Sequence, residues 1–335
     1  MKTLKTVIIG CGAISHTHIN SINNNKLSEI IAVCDISEER AMSAAKEAGC
    51  DRYYTDYRKM LGECPQADVV HICTPHFLHA EMAVYAMKNG FDVYLEKPCA
   101  MTSAEAKEIV AVSEKTGRKV CVSFQNRLVK TTARVKEIAE SGRLGKLLGM
   151  KGLVTWQRSG AYYTESPWRG EWETEGGGVL MNQSIHTLDL IYYFGGKVKK
   201  VEGSVALRKN RDIISVEDTA EATIWFENGV TAVFYATNCH VTSNPAELEL
   251  VFEKGSLLIS NDILYENTDG HIRECVENTG IAVGKSVWGS GHIAMIGNFY
   301  RVLCGEDAEY CDISDAYQVL EIIEKIYETS ANKLR

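Results

Sequence analysis

The feature that most constrains the fold is a glycine-rich turn directly after a short apolar strand near the start of the chain. Residues 6–9 (TVII) predict a buried strand, and residues 10–15 (GCGAIS) follow at once. Gly10 permits a tight turn, and Gly12 lets the backbone approach a pyrophosphate at the amino terminus of the next helix. Ser15 takes a position that is normally glycine or alanine, and it is nearly as compact. The turn predicts the first unit of a dinucleotide-binding parallel sheet.

Up to about residue 124, strand-like and helix-like segments alternate with short connections, which is typical of a parallel sheet. The predicted strands are 6–9, 29–34, 68–73, 92–95 and 119–124. The predicted helices include 38–48, 79–89 and one that begins at a Thr102–Glu105 capping box and ends near Gly117. We therefore predict an α/β fold whose first domain, residues 1–124, is a doubly wound Rossmann domain.

The second half has longer strands rich in β-branched residues after one helix at about 129–141. They are predicted at 199–207, 218–226, 230–238, 247–252 and 256–259, and Asn228-Gly229 predicts a two-residue hairpin. We predict that residues 125–335 form an α+β domain for substrate binding and oligomerisation, with a large, mainly antiparallel, open-faced sheet. Its partly apolar open face suggests self-association. The C-terminal helix, about 314–331, could pack back on the first domain.

The composition narrows the class of protein. A formal net charge of −8 without a basic cluster argues against a nucleic-acid partner. No apolar stretch is long enough to span a membrane and no signal-peptide core precedes the first strand, so we expect a cytoplasmic protein without a membrane partner. The eleven scattered cysteines include no Cys-x-x-Cys pair, and we expect them to be reduced and structural.

Two charged residues at strand ends indicate redox chemistry. Asp35 ends the second strand, twenty residues beyond Ser15, where a carboxylate can accept hydrogen bonds from the adenine ribose. Because a carboxylate there repels the extra phosphate of NADP, we expect NAD as the cofactor. Lys97 follows a later strand in the sequence Glu96-Lys97-Pro98. An ammonium at that edge of the sheet can stabilise a developing alkoxide.

A second constellation follows three glycines at residues 176–178. Asn182 and His186 are four residues apart in an apolar-periodic segment, so we expect them on one face of a single helix. His186 could be a core residue, a metal ligand or a proton acceptor, and the local spacing leaves the core and catalytic readings open. A metal would need more carboxylate or imidazole partners than Asn182 offers, so we expect no metal site.

These motifs, in this order along the chain, resemble the glucose–fructose oxidoreductase / inositol dehydrogenase / MocA family. The resemblance covers essentially the whole chain, and its most specific part is Glu96-Lys97-Pro98 with the downstream His186. It implies a Rossmann domain and a second domain whose open sheet mediates dimers or tetramers. It also implies an NAD(P)-dependent dehydrogenase acting on a sugar, an inositol or a sugar derivative.

The resemblance also implies roles for individual residues. Lys97 and His186 would be the catalytic pair, with Asn182 where many members carry an aspartate. Positions that match cofactor contacts in the family are Gly10, Gly12, Ala13, Ile14, Asp35, Thr74, His79, Glu96, Gln125, Trp168 and Arg169. Weaker candidates for substrate binding are Arg127, the loop residues Tyr162 and Tyr163, and His292, which we expect to be exposed.

The expected activity is oxidation of a ring hydroxyl of a carbohydrate or cyclitol, or reduction of the ketone. His186 would take the hydroxyl proton while Lys97 polarises the oxygen and hydride passes to NAD. Two alternatives remain. One is a glycoside-processing enzyme that uses tightly bound NAD transiently through a 3-keto intermediate. The other is a catalytically silent NAD sensor, which would need neither Lys97 nor His186.

Overall fold

The computed structural model describes residues 3–277 and 291–333, which fall into two compact units. The described part of the first unit comprises residues 3–100, 104–125 and 291–317. The second comprises residues 101–103, 126–277 and 318–333. Within these ranges, no helix has both the length and the apolar character needed to cross a membrane.

The first unit contains the predicted parallel sheet, with strand order β3-β2-β1-β4-β5-β6. Its strands are β1 (Leu4–Ile9), β2 (Ser28–Cys34), β3 (Tyr53–Tyr54), β4 (Val69–Ile72), β5 (Asp92–Leu95) and β6 (Val120–Val122). The helices that connect them are α1 (Ser15–Asn23), α2 (Glu38–Ala48), α3 (Tyr57–Glu63), α4 (His79–Lys88) and α5 (Ser103–Thr116). The change of strand order beside β1 places the ends of β1 and β4 at a switch point, where such sheets bind ligands.

The helix boundaries follow the local sequence signals. The Ser37 side chain accepts a hydrogen bond from the Arg40 N–H and caps α2, which ends at Gly49 with a φ of +74°. The predictions for α2, α4 and α5 are confirmed to within about two residues. The short β3 and α3 were not predicted, because each is close to the lower length limit of its class.

The second unit contains an eight-stranded sheet in the order β14-β13-β12-β11-β7-β10-β9-β8. Its strands are β7 (Leu147–Thr155), β8 (Val198–Ala206), β9 (Thr219–Phe226), β10 (Thr231–Thr237), β11 (Glu247–Phe252), β12 (Gly255–Ser260), β13 (Ile263–Thr268) and β14 (His271–Glu277). The β7–β10 pair is parallel and the other neighbours are antiparallel. The mainly antiparallel sheet is therefore confirmed. A hairpin at Asn228-Gly229 joins β9 to β10 as predicted, but its loop has three residues, 227–229, rather than two, because Phe226 pairs with Val230.

The remaining helices follow in chain order, and the last of them is the longest helix among the described residues. They are α6 (Lys130–Glu140), α7 (Gly160–Thr164), α8 (Trp172–Glu175), α9 (Ile185–Gly195), α10 (Gly291–Leu303) and α11 (Ile313–Lys333). Helix α9 packs closely on β7, because a Cβ atom at Gly152 would lie 2.8 Å from Ile191 and 2.9 Å from Thr187. This close contact fixes the helix that carries His186 to the sheet.

The opposite face of this sheet remains partly apolar. Along β10, Ala232, Phe234 and Ala236 are buried while Val233 and Tyr235 are exposed, as the alternation of a strand requires. Val251 on β11, which shares this face through its pairing with Gly149, is exposed as well.

Candidate active site

The turn between β1 and α1 fits a dinucleotide pyrophosphate. Gly10 has a φ of +91°, and a Cβ atom there would lie 2.6 Å from a backbone carbonyl oxygen just after β4, so glycine is required. At Gly12 a Cβ atom would meet nothing within 4 Å, which leaves open space beside the backbone. Ser15 closes the turn by donating a hydrogen bond from its Oγ to the Gly12 carbonyl oxygen, 2.6 Å away. Ala13 and Ile14 complete this approach to the amino terminus of α1.

Asp35 lies at the end of β2 with its carboxylate already oriented. Its Oδ2 accepts a hydrogen bond from the Cys11 N–H at 2.8 Å, and its Oδ1 accepts from the Ser37 N–H at 2.8 Å and from Arg40 at 2.7 Å. Burial opposes ionisation, but the Arg40 side chain and the two backbone donors outweigh it and lower the pKa of Asp35. The carboxylate is therefore charged at neutral pH, as a ribose-binding acceptor needs to be.

His79 joins two loops at the edge of the parallel sheet. Its ring nitrogens lie 2.6 Å from the Pro98 carbonyl oxygen and 2.8 Å from the Thr74 carbonyl oxygen. Burial lowers the pKa of His79 although both carbonyl oxygens favour its protonated form. The ring thus connects the loop after β4 to the turn that contains Lys97, and its predicted contact with the cofactor remains a prediction.

Glu96 is a buried carboxylate directly before Lys97. It is 6% exposed and accepts a hydrogen bond at 2.9 Å from Nε2 of His18, while Nε2 of His292 lies 3.6 Å away. Burial raises the pKa of Glu96, but the two histidines outweigh this effect and hold it well below the usual range. The Lys97 N–H also donates to Glu96, at 3.3 Å, so this carboxylate orders the backbone that carries the lysine.

A chain of buried side chains continues from Glu96 across the unit. Nδ1 of His18 lies 2.8 Å from Nδ1 of His71, whose Nε2 lies 2.8 Å from the Tyr300 hydroxyl. That hydroxyl lies 3.0 Å from Oγ1 of Thr6. Burial lowers the pKa of both histidines, so we assign neutral rings. Donation then runs in one direction, from Thr6 through Tyr300, His71 and His18 to the Glu96 carboxylate, and every pair has one donor.

The same cluster contains the one group of three metal-type donors among the residues described. Donor atoms of His18, Glu96 and His292 lie within 4.8 Å of one another. His18 and Glu96 share a hydrogen bond at 2.9 Å, so their polar atoms are satisfied without an ion. His292 is 3% exposed, and the expectation that it faces solvent is wrong, because α10 places it against Glu96.

Gln125 lies beside the start of the same helix. It is buried and opens the short turn Gln125–Leu128 after β6. A Cβ atom at Gly291 would clash with the Gln125 carbonyl, so α10 begins in direct contact with this turn. The predicted role of Gln125 at the cofactor remains a prediction.

The glycine run of the second unit forms a turn that a buried glutamate fixes. Gly176 and Gly177 have φ angles of +78° and +149°. The Glu217 carboxylate accepts hydrogen bonds from the Gly178 N–H at 2.9 Å, the Leu180 N–H at 3.0 Å and the hydroxyl of Tyr327 at 3.0 Å. Burial raises the pKa of Glu217 to about 7 against these donors. The carboxylate anchors the segment that leads to Asn182.

Asn182 and His186 do not lie in one continuous α-helix, and that prediction is wrong. Residues Val179–Gln183 form a π-helical turn, and His186 lies in the first turn of α9. The glycine turn and the Glu217 contacts impose this wider turn, a feature that is frequent at functional sites. The Asn182 side chain donates hydrogen bonds to Oε1 of Glu175 at 2.6 Å and to the Tyr162 hydroxyl at 3.3 Å.

Glu175 therefore supplies a carboxylate beside the position where many family members carry aspartate. It is fully buried, and its Oε2 also accepts a hydrogen bond from the Gly170 N–H at 2.6 Å. Both donors suit an ionised carboxylate. Glu175 was not predicted as a site residue, because it lies in the short helix α8 without a periodic pattern around it.

The two tyrosine candidates have different surroundings. Tyr162 is half-buried, and its hydroxyl also accepts a hydrogen bond from Gln183 at 3.1 Å. Tyr163 is 3% exposed, packs in the core with Ile214 and Val216, and accepts a hydrogen bond from Asn238 at 3.2 Å. The structure therefore places Tyr162 beside Asn182 and Tyr163 in the core.

Trp168 and Arg169 lie beside Tyr162. The Arg169 guanidinium lies 4.4 Å from the ring centroid of Tyr162 and 5.3 Å from that of Trp168. Its Nη1 donates a hydrogen bond to the Tyr162 carbonyl oxygen at 3.3 Å. The predicted reach of Trp168 and Arg169 toward the cofactor remains a prediction.

Arg127 forms a buried ion pair with Asp189 of α9. Its Nε lies 3.1 and 3.0 Å from the two carboxylate oxygens, and Nη2 lies 2.6 Å from Oδ1. The arginine is 6% exposed and the aspartate fully buried. The pair fixes α9 at its middle. A substrate contact by Arg127 remains a prediction.

Both halves of the chain match models of known protein families. Residues 4–124 match an oxidoreductase family with an NAD-binding Rossmann fold, and residues 132–258 match the GFO/IDH/MocA C-terminal domain. The D-apiose dehydrogenase of Paraburkholderia graminis is 28% identical over 279 residues, which cover 81% of this chain and 72% of that protein. The D-glucoside 3-dehydrogenase of Escherichia coli is 29% identical over 248 residues, which cover 68% of each chain.

A solved structure extends the likeness to the whole chain. The WlbA dehydrogenase from Bordetella pertussis, in complex with NADH and UDP-GlcNAcA, superposes with a TM-score of 0.85 at 27% identity. The alignment covers 99% of this chain and 98% of that one. The protein therefore belongs to the glucose–fructose oxidoreductase, inositol dehydrogenase and MocA family of oxidoreductases, and its first unit is an NAD-binding Rossmann domain.

Proposed function

We propose that this protein is an NAD-dependent dehydrogenase that oxidises a ring hydroxyl of a sugar, a sugar derivative or an inositol, or reduces the corresponding ketone. The observation that carries the proposal is Lys97 held next to an ionised, buried Glu96 in an NAD-binding unit. The activities named for the relatives, D-apiose and D-glucoside oxidation, support the substrate class.

The proposed chemistry divides the reaction between two side chains. His186 accepts the hydroxyl proton, and the carbon–hydrogen bond breaks as the carbon–oxygen double bond forms. Lys97 donates a hydrogen bond to the same oxygen and stabilises its developing negative charge. Bound NAD supplies the acceptor for the hydride, so two electrons and one hydrogen leave the ring carbon. Asn182, held by Glu175, orients the ring of His186 or the substrate.

The exposed sheet face supports a homodimer or homotetramer. Val233, Tyr235 and Val251 are large apolar side chains with 40–49% of their surface exposed. Grouped exposed apolar side chains on one sheet face mark a protein–protein contact more often than a solvated surface. We infer that a second copy of this chain covers them.

The activity is tested by incubating the protein with NAD and a panel of inositols, neutral sugars, acidic sugars and glycosides while following the absorbance of NADH. We expect at least one compound to give sustained NADH production. NAD should exceed NADP in kcat/KM, because losing the ribose hydrogen bonds of Asp35 costs about 1–3 kcal/mol. Glycoside cleavage without net NADH would instead support transient use of the cofactor. Equal or better use of NADP would contradict the role of Asp35.

Lys97→Met should lower kcat by about 10²–10³-fold, because the ammonium acts mainly on charge that develops in the transition state. Binding of NADH, measured by fluorescence titration, should change little. Lys88→Met, which replaces an exposed lysine in α4, is the matched control and should retain full activity. A fully active Lys97→Met enzyme would reduce this lysine to a structural residue of the strand end.

The pH profile of oxidation tests His186 as the base. In Asn182→Asp, the new carboxyl group would lie at hydrogen-bond distance from that of Glu175, and the two would share one proton. The charge near His186 would then change little, so the acid limb of this variant should move only slightly. The double variant Asn182→Asp/Glu175→Gln carries one negative charge, and it lies on residue 182, which is closer to His186 in sequence than residue 175 is. Compared with Glu175→Gln, its acid limb should move to higher pH by up to about one unit, because a nearby anion raises a histidine pKa. An acid limb that is identical in these two variants would mean either that His186 is not the titrating base or that residue 182 does not face it, and would contradict the proposed pairing.

A further inference from the structure

Two arginines stack on the tyrosine that contacts the predicted catalytic segment. The guanidinium of Arg158 lies 5.1 Å from the ring centroid of Tyr162, and that of Arg169 lies 4.4 Å from the same centroid. The Tyr162 hydroxyl accepts hydrogen bonds from Asn182 and Gln183. The arginine pair is therefore one side chain away from the segment that leads to His186.

The pair lacks the acidic partners that Arg127 and Arg143 of the same unit have. Within the described chain, neither Arg158 nor Arg169 forms an ion pair, whereas Arg127 and Arg143 each bind a carboxylate. Each guanidinium makes one hydrogen bond, to the carbonyl oxygen of Gln157 or of Tyr162. The Nε atoms of both are buried and have no partner among the residues described. A guanidinium has five N–H donors, so in each arginine four of them remain for a ligand.

The backbone at Arg158 is held by hydrogen bonds, and the side chain stacks on an aromatic ring, so its guanidinium is oriented before a ligand binds. The Trp156 N–H and the Arg158 N–H donate hydrogen bonds to backbone carbonyl oxygens at the end of β10, at 2.8 and 3.0 Å. The guanidinium is also 4.8 Å from the ring centroid of Trp156. Held between two aromatic rings, the planar fork loses little conformational freedom when an anion binds it.

We propose that Arg158 binds an anionic group of the substrate, so that the enzyme acts on an acidic sugar rather than a neutral one. This inference rests on the proposed dehydrogenase function. Arg158 carries the proposal because its backbone N–H is bound at the end of β10 and its guanidinium lies near the rings of both Trp156 and Tyr162. The ligand chemistry is a pair of anionic oxygens that the fork can bind in bidentate fashion, either a carboxylate or a phosphate ester.

Matched substrates test this inference. A methyl glycoside, the uronic acid that differs from it by a carboxylate, and the corresponding sugar 6-phosphate are compared by kcat/KM with NAD. We expect the uronate or the phosphate to exceed the neutral glycoside. In Arg158→Gln that preference should fall at least about 30-fold, a loss typical of removing one partner of a buried charge pair. Arg158→Lys should restore part of it, because lysine keeps the charge but loses the fork.

Two controls separate the outcomes. Arg134→Gln removes an exposed arginine of α6 and should leave the acid-to-neutral ratio unchanged. NADH affinity of Arg158→Gln should equal that of the parent, and a loss would assign Arg158 to the cofactor pyrophosphate and overturn the proposal. Oxidation of the neutral glycoside in preference to both acids would also overturn it while leaving the dehydrogenase function intact. NADH production from none of the wider panel would refute the function itself.

Discussion

A carboxylate buried at the end of a parallel strand must be given hydrogen-bond donors, and much of the first unit is organised around this requirement at Glu96. His18 on α1, His71 on β4 and Tyr300 on α10 form a chain of hydrogen bonds that ends at this side chain. Removing a donor from such a chain leaves a buried group unpaired. The chain thus joins three elements to the strand end that presents Lys97.

In the second unit, two more buried carboxylates accept hydrogen bonds that order the segment leading to the predicted base. Glu217 satisfies the backbone donors at the start of the π-helical turn, and Glu175 binds the Asn182 amide. A glycine turn with positive φ angles has no side chains of its own to fix it, so a buried acceptor opposite its N–H groups keeps it ordered. The predicted base therefore lies in a helix whose entry is held by two carboxylates, of which Glu217 is 39 residues from the glycine that it binds.

Most of the fold could be predicted from the sequence, because its helices, strands and turns depend on local signals. The glycine turn, the Ser37 cap, Gly49 and the Asn228-Gly229 hairpin each specify backbone geometry within a few residues, and the structure agrees with them. The buried network escaped detection, since His18, His71 and Tyr300 are separated along the chain by 53 and 229 residues and meet only after folding. The π-helical turn was not predicted for a related reason, because Glu217, which binds its first N–H groups, lies in the loop before β9, 39 residues from Gly178.

The central claim is that hydride passes from a ring carbon of a carbohydrate to NAD. The direct measurement uses a sugar substrate deuterated at every ring carbon and follows the reduced nicotinamide by proton NMR. We expect one deuterium at C4 of the nicotinamide for each ketone formed, together with a slower rate than the undeuterated sugar gives when chemistry limits turnover. Ketone formation with only solvent-derived hydrogen at that carbon would contradict it.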